Sequence, residues 1–428
     1  MLLSISPVDS LTFAGALPAD PFVSQTALAR ALVAEGRSTL RRLADDPDTL
    51  VMIAAMRRLG ALVESDGELT TIIPPERLRM PEEAIGLGTA AYPFRLLTGI
   101  LAASGVKGRL EADVPLSRRN IERVLGPLRT LGAEITSSDR GTPPVYIFPG
   151  DFHEGMTIEL PIANAYLKSA LVAAARAAGV SLSVIEPRPS RDHAERIFGG
   201  VISSGLPYRI DLPSGRPGAI DWTLPSDTLL ADHLTTLAIL RDNSSLKIER
   251  RLATRGEMRV IEMLASAGAV IEHCSEPVAL VSEPTESLRP HGSALSGELL
   301  LEGDALAGLE TEIPLLAVAL AAGGGRIRVR GAMNLRQQIC DRIAALVDNL
   351  GAVGIETEEF DDGFHAHGSG AVHGGCDISA YDDPVIALAM ILLLALADAP
   401  STLHDVPDDY RCRAMIEILG RQVALLEE

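Results

Sequence analysis

Residues 313–325, IPLLAVALAAGGG, followed by residues 341–356, DRIAALVDNLGAVGIE, contain the pattern that decides the fold. The first segment is apolar on every face, which suits a helix enclosed within a layer. The second is amphipathic and closes on glycine before a β-branched run, as a helix does when it hands over to a strand through a left-handed cap.

The same pair recurs along the chain with a period of roughly 60–85 residues. Its apolar members are SQTALARALVAEG (24–36), YPFRLLTGILAASG (92–105), AYLKSALVAAARAAG (165–179), TLLADHLTTLAIL (228–240), the segment at 313–325 and PVIALAMILLLALAD (384–398). The amphipathic partners begin at Asp48, Asn120, His193, Glu257, Asp341 and Arg413. Six units of helix, strand, helix and strand predict an α/β (α+β) fold in which sheets cover buried helices. Pro, Gly and Ser cluster at 211–227, DLPSGRPGAIDWTLPSD, between the third and fourth units. We therefore expect an N-terminal three-unit domain at 18–224 and a C-terminal one from 1–17 and 225–428, with the ligand in an interdomain cleft.

Bulk properties narrow the function classes. Thirty-eight basic against fifty-seven acidic residues leave a formal charge of −19, which repels nucleic acid and anionic membrane, so neither is an expected partner. A small anionic ligand then has to be held by a local cluster of Arg or Lys. The four cysteines lack the paired spacing of a zinc or redox site, and no metal or cofactor is expected. The first residues carry no basic segment leading an apolar core, and the apolar run at 384–398 is short for a membrane span. A cytoplasmic location is the expectation.

SRDHAERIF (190–198), DVPLSRRNIERVLGPLRTLGAEI (113–135) and the paired segments at 311–325 and 334–352 resemble the EPSP synthases, the enolpyruvyl transferases that use phosphoenolpyruvate and shikimate 3-phosphate. The resemblance covers essentially the whole chain and implies two domains of three βαβαββ units each, joined by a two-strand hinge. It implies that Ser190 and Arg191 match positions holding the ring phosphate, and that Arg119 and Arg342 match positions contacting phosphoenolpyruvate. Arg suits such work because its planar fork of donors meets an oxyanion in two places.

The resemblance also exposes losses. PADPFVSQTALARALVAEG lies over the family's PGSKS-x-SNR, placing Pro21 at a lysine, Phe22 at a serine and Thr26 at an arginine, with Ser24 kept. In GTAAYPFRLLTG, Ala91 and Pro93 alter a phosphate loop while Arg95 remains. In ANAYLKSAL, Ala163, Asn164 and Ala165 replace two hydroxyls and an amide, and Lys168 is new, either a solvated charge or a replacement contact. The catalytic Asp falls on Thr311, the catalytic Lys on Gln338 and the following Glu on Ile339, and neither Thr nor Gln titrates near pH 7. Val385 stands where a further arginine is expected.

The candidate substrate contacts are accordingly Ser24, Arg95, Arg119, Asn164, Ser190, Arg191, Thr311, Arg336, Gln338 and Arg342. The candidate proton carriers are His193, Glu312, Asp341 and Asp383, although an Asp opening a helix is commonly a cap. The reading that follows is a repurposed enzyme acting on a shikimate-type or phosphorylated cyclic substrate by elimination or isomerisation, without phosphoenolpyruvate. A non-catalytic binding or scaffolding paralogue and an ordinary 3-phosphoshikimate 1-carboxyvinyltransferase with a rearranged site are the alternatives.

Overall fold

The computed structural model describes residues 1–203, 205–275, 283–306 and 308–426. The chain divides into two compact units, one of Ala19–Pro225 with Val278–Pro284, the other of Met1–Pro18, Ser226–Pro277 and Thr285–Glu428.

Six repeats account for the helices among the described residues, two to a repeat. The first holds α1 (Pro21–Val33) and α2 (Pro47–Arg58), the second α3 (Ala91–Ala102) and α4 (Glu122–Thr130), the third α5 (Ala165–Ala178) and α6 (His193–Phe198). The fourth holds α7 (Thr228–Ile239) and α8 (Arg259–Ser266), the fifth α9 (Ile313–Gly323) and α10 (Arg342–Ala352), the sixth α11 (Pro384–Ala395) and α12 (Tyr410–Leu419). The first of each pair is the apolar one. In α11 every residue after Pro384 is buried, because a helix hydrophobic on all sides has no face to give to water.

Each repeat closes one four-stranded sheet with a constant pattern, so the described residues form six such sheets. In the third repeat, strand Met156–Glu159 runs parallel to Leu182–Glu186, which pairs antiparallel with Tyr208–Leu212, which pairs antiparallel with Val201–Ile202. Three sheets borrow a strand from a distant part of the sequence, and in the fourth repeat it is Thr12–Ala16, which lies parallel to the start of Ser245–Leu252. Asp221–Thr223 lies parallel to Ser38–Arg41 and completes the first repeat, and Leu2–Ile5 inserts between Ser401–His404 and Val423–Leu426 to complete the sixth.

Sharp helix starts come from short polar side chains. Asp20, Asp46, Asn164, Asp227, Asp341, Asp383 and Asp409 each accept a backbone N–H in the first turn of the helix they precede, satisfying donors that have no partner within it. Close packing also depends on one glycine. A Cβ at Gly99 of α3 would lie 2.2 Å from the Ala170 carbonyl oxygen of α5, so these two buried helices touch backbone to side-chain-free backbone. The helix that the segment HAERIFGGVISSGLPYRI suggests stops at Phe198, because Gly199 takes φ +81° and the chain turns into strand Val201–Ile202.

Candidate functional site

In the unit built on Ala19–Pro225, the N-terminal ends of α1, α3 and α5 bring three rings together. Phe22, Tyr92 and Tyr166 meet edge to face, with centroids 5.2 Å apart for Phe22 and Tyr92, 5.4 Å for Tyr92 and Tyr166, and 6.0 Å for Phe22 and Tyr166. Two guanidiniums lie on this cluster, Arg95 at 5.0 Å from the Tyr166 centroid and Arg191 at 5.6 Å from that of Phe22. Arg119 is exposed and acts on both Arg95 and Tyr166. Burial pulls the Arg95 guanidinium below its ordinary value; Tyr166 opposes this and Arg119 adds to it. Two arginines thus lie on one aromatic platform, and a third, Arg119, acts on it electrostatically, in a strongly acidic protein.

Beneath the platform runs a line of hydroxyls. Thr26 donates to the Phe22 carbonyl (2.6 Å) and lies 2.9 Å from the Tyr92 hydroxyl, which reaches Ser169 at 3.0 Å. Burial pushes the Tyr92 hydroxyl up to about 12, so it remains protonated and serves as a hydrogen-bonding group. Ser24 is fully buried and accepts the Ala44 N–H at 3.2 Å, which gives it a packing role within this unit.

Beside the platform lies a buried ionic cluster. Glu186, fully buried, accepts from the Asn164 N–H at 2.9 Å, from Lys168 Nζ at 2.9 Å, and from the Ser190 hydroxyl at 3.0 and 2.9 Å to its two oxygens. Lys168 also reaches Glu195 at 2.7 Å and lies 5.3 Å from the Tyr208 ring. Lys168 is therefore no solvated charge: its side chain is 0% exposed and held between two carboxylates. Although burial works against it, Glu195 and Glu186 keep the Lys168 ammonium above its ordinary pKa. Burial pushes Glu195 up to about 7 against the pull of Lys168. The strand at 182–186 explains how Glu186 arrives there, since Leu182, Val184 and Glu186 alternate onto the buried face. His193, one of the candidate proton carriers, is buried with its Nδ1 3.2 Å from Glu283.

The other unit carries the remaining candidates, and most of them are bound to one another. Arg342 meets Asp383 in a two-pronged pair, Nε to Oδ2 at 2.7 Å and an Nη to Oδ1 at 3.0 Å, and donates to the Glu310 carbonyl at 3.2 Å. Asp383 also accepts the Val385 N–H at 2.9 Å as the cap of α11. Asp341 caps α10 through Ile343 and Ala344, and its second oxygen takes a hydrogen bond from Arg336 at 2.8 Å. Arg336 is further occupied by Glu359 at 2.8 Å and the Phe360 carbonyl at 2.6 Å. Gln338 donates to the Asn334 carbonyl at 3.0 Å. Thr311 is partly buried, and Glu312, 7% exposed, opens α9.

Two buried clusters of this unit have no counterpart among the sequence-derived candidates. Arg251, fully buried, binds Asp232 at 2.8 and 3.2 Å and Glu286 at 3.4 Å. Burial pushes the Asp232 carboxyl up to about 7 against Arg251, with Glu257 and Glu312 adding to the rise. Asp227, also fully buried, caps α7 and accepts from the Tyr410 hydroxyl and from Arg411 Nε at 2.9 Å. A charged residue inside the otherwise apolar segment TLLADHLTTLAIL was the available signal for Asp232. Among the described residues no set of three or more His, Cys, Asp or Glu side chains converges as metal ligands, and no helix is long and apolar enough to cross a membrane.

The family model for EPSP synthase (3-phosphoshikimate 1-carboxyvinyltransferase) matches residues 14–408. The chain belongs to the EPSP synthase family. It is 32% identical over 403 residues to the 3-phosphoshikimate 1-carboxyvinyltransferase of Xanthomonas euvesicatoria pv. vesicatoria, covering 91% of this chain and 89% of that one. The enzyme of the same name from Coxiella burnetii is 30% identical over 398 residues, with the same coverage. An EPSP synthase structure from Acinetobacter baumannii superposes with a TM-score of 0.86 at 27% identity, covering 99% of this chain and all of that one. The enolpyruvyl transferase NikO from Streptomyces tendae, at 18% identity and a TM-score of 0.72, shares the fold. For an EPSP synthase family member, the arrangement of Arg342 is notable: the guanidinium that the resemblance aligns with a phosphoenolpyruvate contact is closed on a carboxylate of its own chain.

Proposed function

We propose that this EPSP-synthase-family chain is an enzyme for a shikimate-type ring acid. The observation that carries the ligand class is the platform of Tyr166 and Phe22 bearing Arg95 and Arg191, with Arg119 acting on Tyr166 electrostatically, a positive patch in a chain of net charge −19. Such a patch matches a carboxylate on a flat or ring-shaped ligand, the guanidiniums meeting the oxyanion and the rings covering the apolar edge.

Carboxyvinyl transfer is the reaction that the relatives' names support, and we adopt it as the first reading. Thr311 and Gln338 have no titrating proton near neutrality, so in this reading other side chains carry it; Glu312, adjacent to Thr311 and buried at the start of α9, is the foremost candidate. A second reading, elimination or isomerisation without phosphoenolpyruvate, is favoured by the closed Arg342–Asp383 pair, which leaves that guanidinium little capacity for a second oxyanion.

One experiment separates them. Purified protein is incubated with shikimate or shikimate 3-phosphate, with and without phosphoenolpyruvate, while phosphate release, new products and thermal shift are followed. Phosphate release that requires both the ring acid and phosphoenolpyruvate supports transfer. A product formed without phosphoenolpyruvate supports the second reading. A thermal shift without turnover leaves a binding protein, and no response to either ring acid overturns the ligand class.

A further inference from the structure

Among the described residues four Lys or Arg side chains are buried, and three of them close on carboxylates. Lys168 meets Glu186 and Glu195, Arg251 meets Asp232 and Glu286, and Arg342 meets Asp383. The fourth is Arg176, in the last turn of α5, and its partners are neutral. Its Nη1 donates to the Pro213 and Ser214 carbonyls, and its Nε–H is buried without an acceptor.

A second arginine of the same kind stands near it. Arg30, in the last turn of α1, donates from Nη1 to the Ile197 carbonyl at 2.7 Å and from Nη2 to the Gly218 carbonyl at 3.2 Å. Its Nε–H is likewise buried without an acceptor. Burial pulls the Arg30 guanidinium down to about 10, the charge on Arg176 adds to the fall, and no carboxylate opposes it. Arg176 is lowered by burial alone. The negative ends of α1 and α5 and the four carbonyls steady these cations, but they leave two neighbouring positive charges without a counter-charge and two Nε protons without a partner. In a chain of net charge −19, the missing component is an anion.

We propose that Arg30 and Arg176 form a site for a small inorganic oxyanion of the phosphate or sulfate class, held by their two Nε–H groups at the C-terminal ends of α1 and α5. Such an ion has several oxygens, so it can accept from two separate guanidiniums and supply the charge that no side chain supplies. The site is distinct from the aromatic platform: Arg30 lies eight residues beyond Phe22 along α1, about 12 Å at 1.5 Å per residue. Because the same two arginines hold the carbonyls of Pro213, Ser214 and Gly218, the ion steadies the segment that leads into strand Asp221–Thr223. The inference is independent of the ring-acid reading.

Trp222, the only tryptophan of the chain, lies with its ring 5.4 Å from the Arg30 guanidinium and reports on the site. The full chain is titrated with inorganic phosphate at constant ionic strength, balanced with sodium chloride, while Trp222 emission and the melting temperature are followed. A saturable change in emission together with a rise in melting temperature is expected. In Arg176→Gln the half-saturating phosphate concentration should rise roughly 10–100-fold. Should that variant unfold without ligand, Arg30→Lys serves instead, read by melting temperature: it keeps the charge, removes the Nε–H and should weaken phosphate by a similar factor. Both responses should survive in Arg95→Ala. Their loss in that variant would put the ion on the aromatic platform and overturn the inference. So would an equal response to chloride alone, which is general screening, an unchanged half-saturation in Arg176→Gln or Arg30→Lys, or no saturable response in the unmodified chain.

Discussion

Arg342 and Asp383 form a buried two-pronged ion pair, 2.7 and 3.0 Å, in which the same carboxylate also caps the N-terminus of α11. One group thereby neutralises a cation, satisfies orphan helix donors and links α10 to α11. Removing one partner of such a pair strands the other charge away from water. Asp383→Asn should cost about 3–5 kcal/mol in chemical denaturation, more than a cap alone provides. A loss under 1 kcal/mol would mean that Arg342 is solvated and available to a ligand.

The aromatic platform makes a binding prediction. Arg95→Ala and Arg191→Ala should each weaken the ring acid by about 1.5–3 kcal/mol, roughly 10–100-fold, through loss of a charge-assisted hydrogen bond. The double variant should lose more than either alone. Calorimetry reads this directly, and unchanged affinity in both single variants would place the ligand elsewhere.

Glu195 predicts a pH dependence. Burial lifts its carboxyl to about 7, above the ordinary 4.5, so between these values the folded chain holds a proton that the unfolded chain has released. Stability from this group is full below about pH 4.5 and is lost as pH rises through 7. Asp232, lifted to about 7, acts in the same direction, whereas His233, lowered by burial from 6.5 to about 4, acts oppositely between those two values. Subtracting the stability of Glu195→Gln from that of the unmodified chain isolates one contribution. The difference should shift against the unmodified chain by on the order of 1–3 kcal/mol between pH 5 and pH 8. A flat difference would show that Lys168 holds Glu195 ionised throughout.

Gly99 predicts a packing limit. A methyl at this position would approach the Ala170 carbonyl to 2.2 Å, and neither helix backbone can yield cheaply. Gly99→Ala should therefore destabilise by about 1–3 kcal/mol despite its better helix propensity. A variant as stable as the parent in thermal melts would require α3 and α5 to separate at no cost.

Much of the architecture was legible because its signals are local. All-round apolar segments marked the six buried helices, glycine marked where several helices hand over to strands, and the repeats announced themselves by period. The second helix of the third repeat is shorter than its segment suggested, since the left-handed turn at Gly199 ends it before the strand. The candidate site was legible only in part. Arg95, Arg119 and Arg191 were named from the sequence, but nothing in it announced that Phe22, Tyr92 and Tyr166 would gather beneath them from three different helices. Asp341 and Asp383 read as possible proton carriers and stand as helix caps with arginine partners.

By itself the sequence determined the six repeats, the helices that must be buried, and the absence of titrating groups at 311 and 338. Those are properties of residue type and spacing along one segment. Only the tertiary structure decided how the charges were spent: that Lys168 would be enclosed by Glu186 and Glu195, Arg251 by Asp232 and Glu286, and Arg342 by Asp383. The physical reason is range. A hydrophobic period is written within ten or fifteen neighbouring residues, whereas an ion pair between residues 18 to 41 positions apart exists only once folding has brought both within about 3 Å in a place that water does not reach.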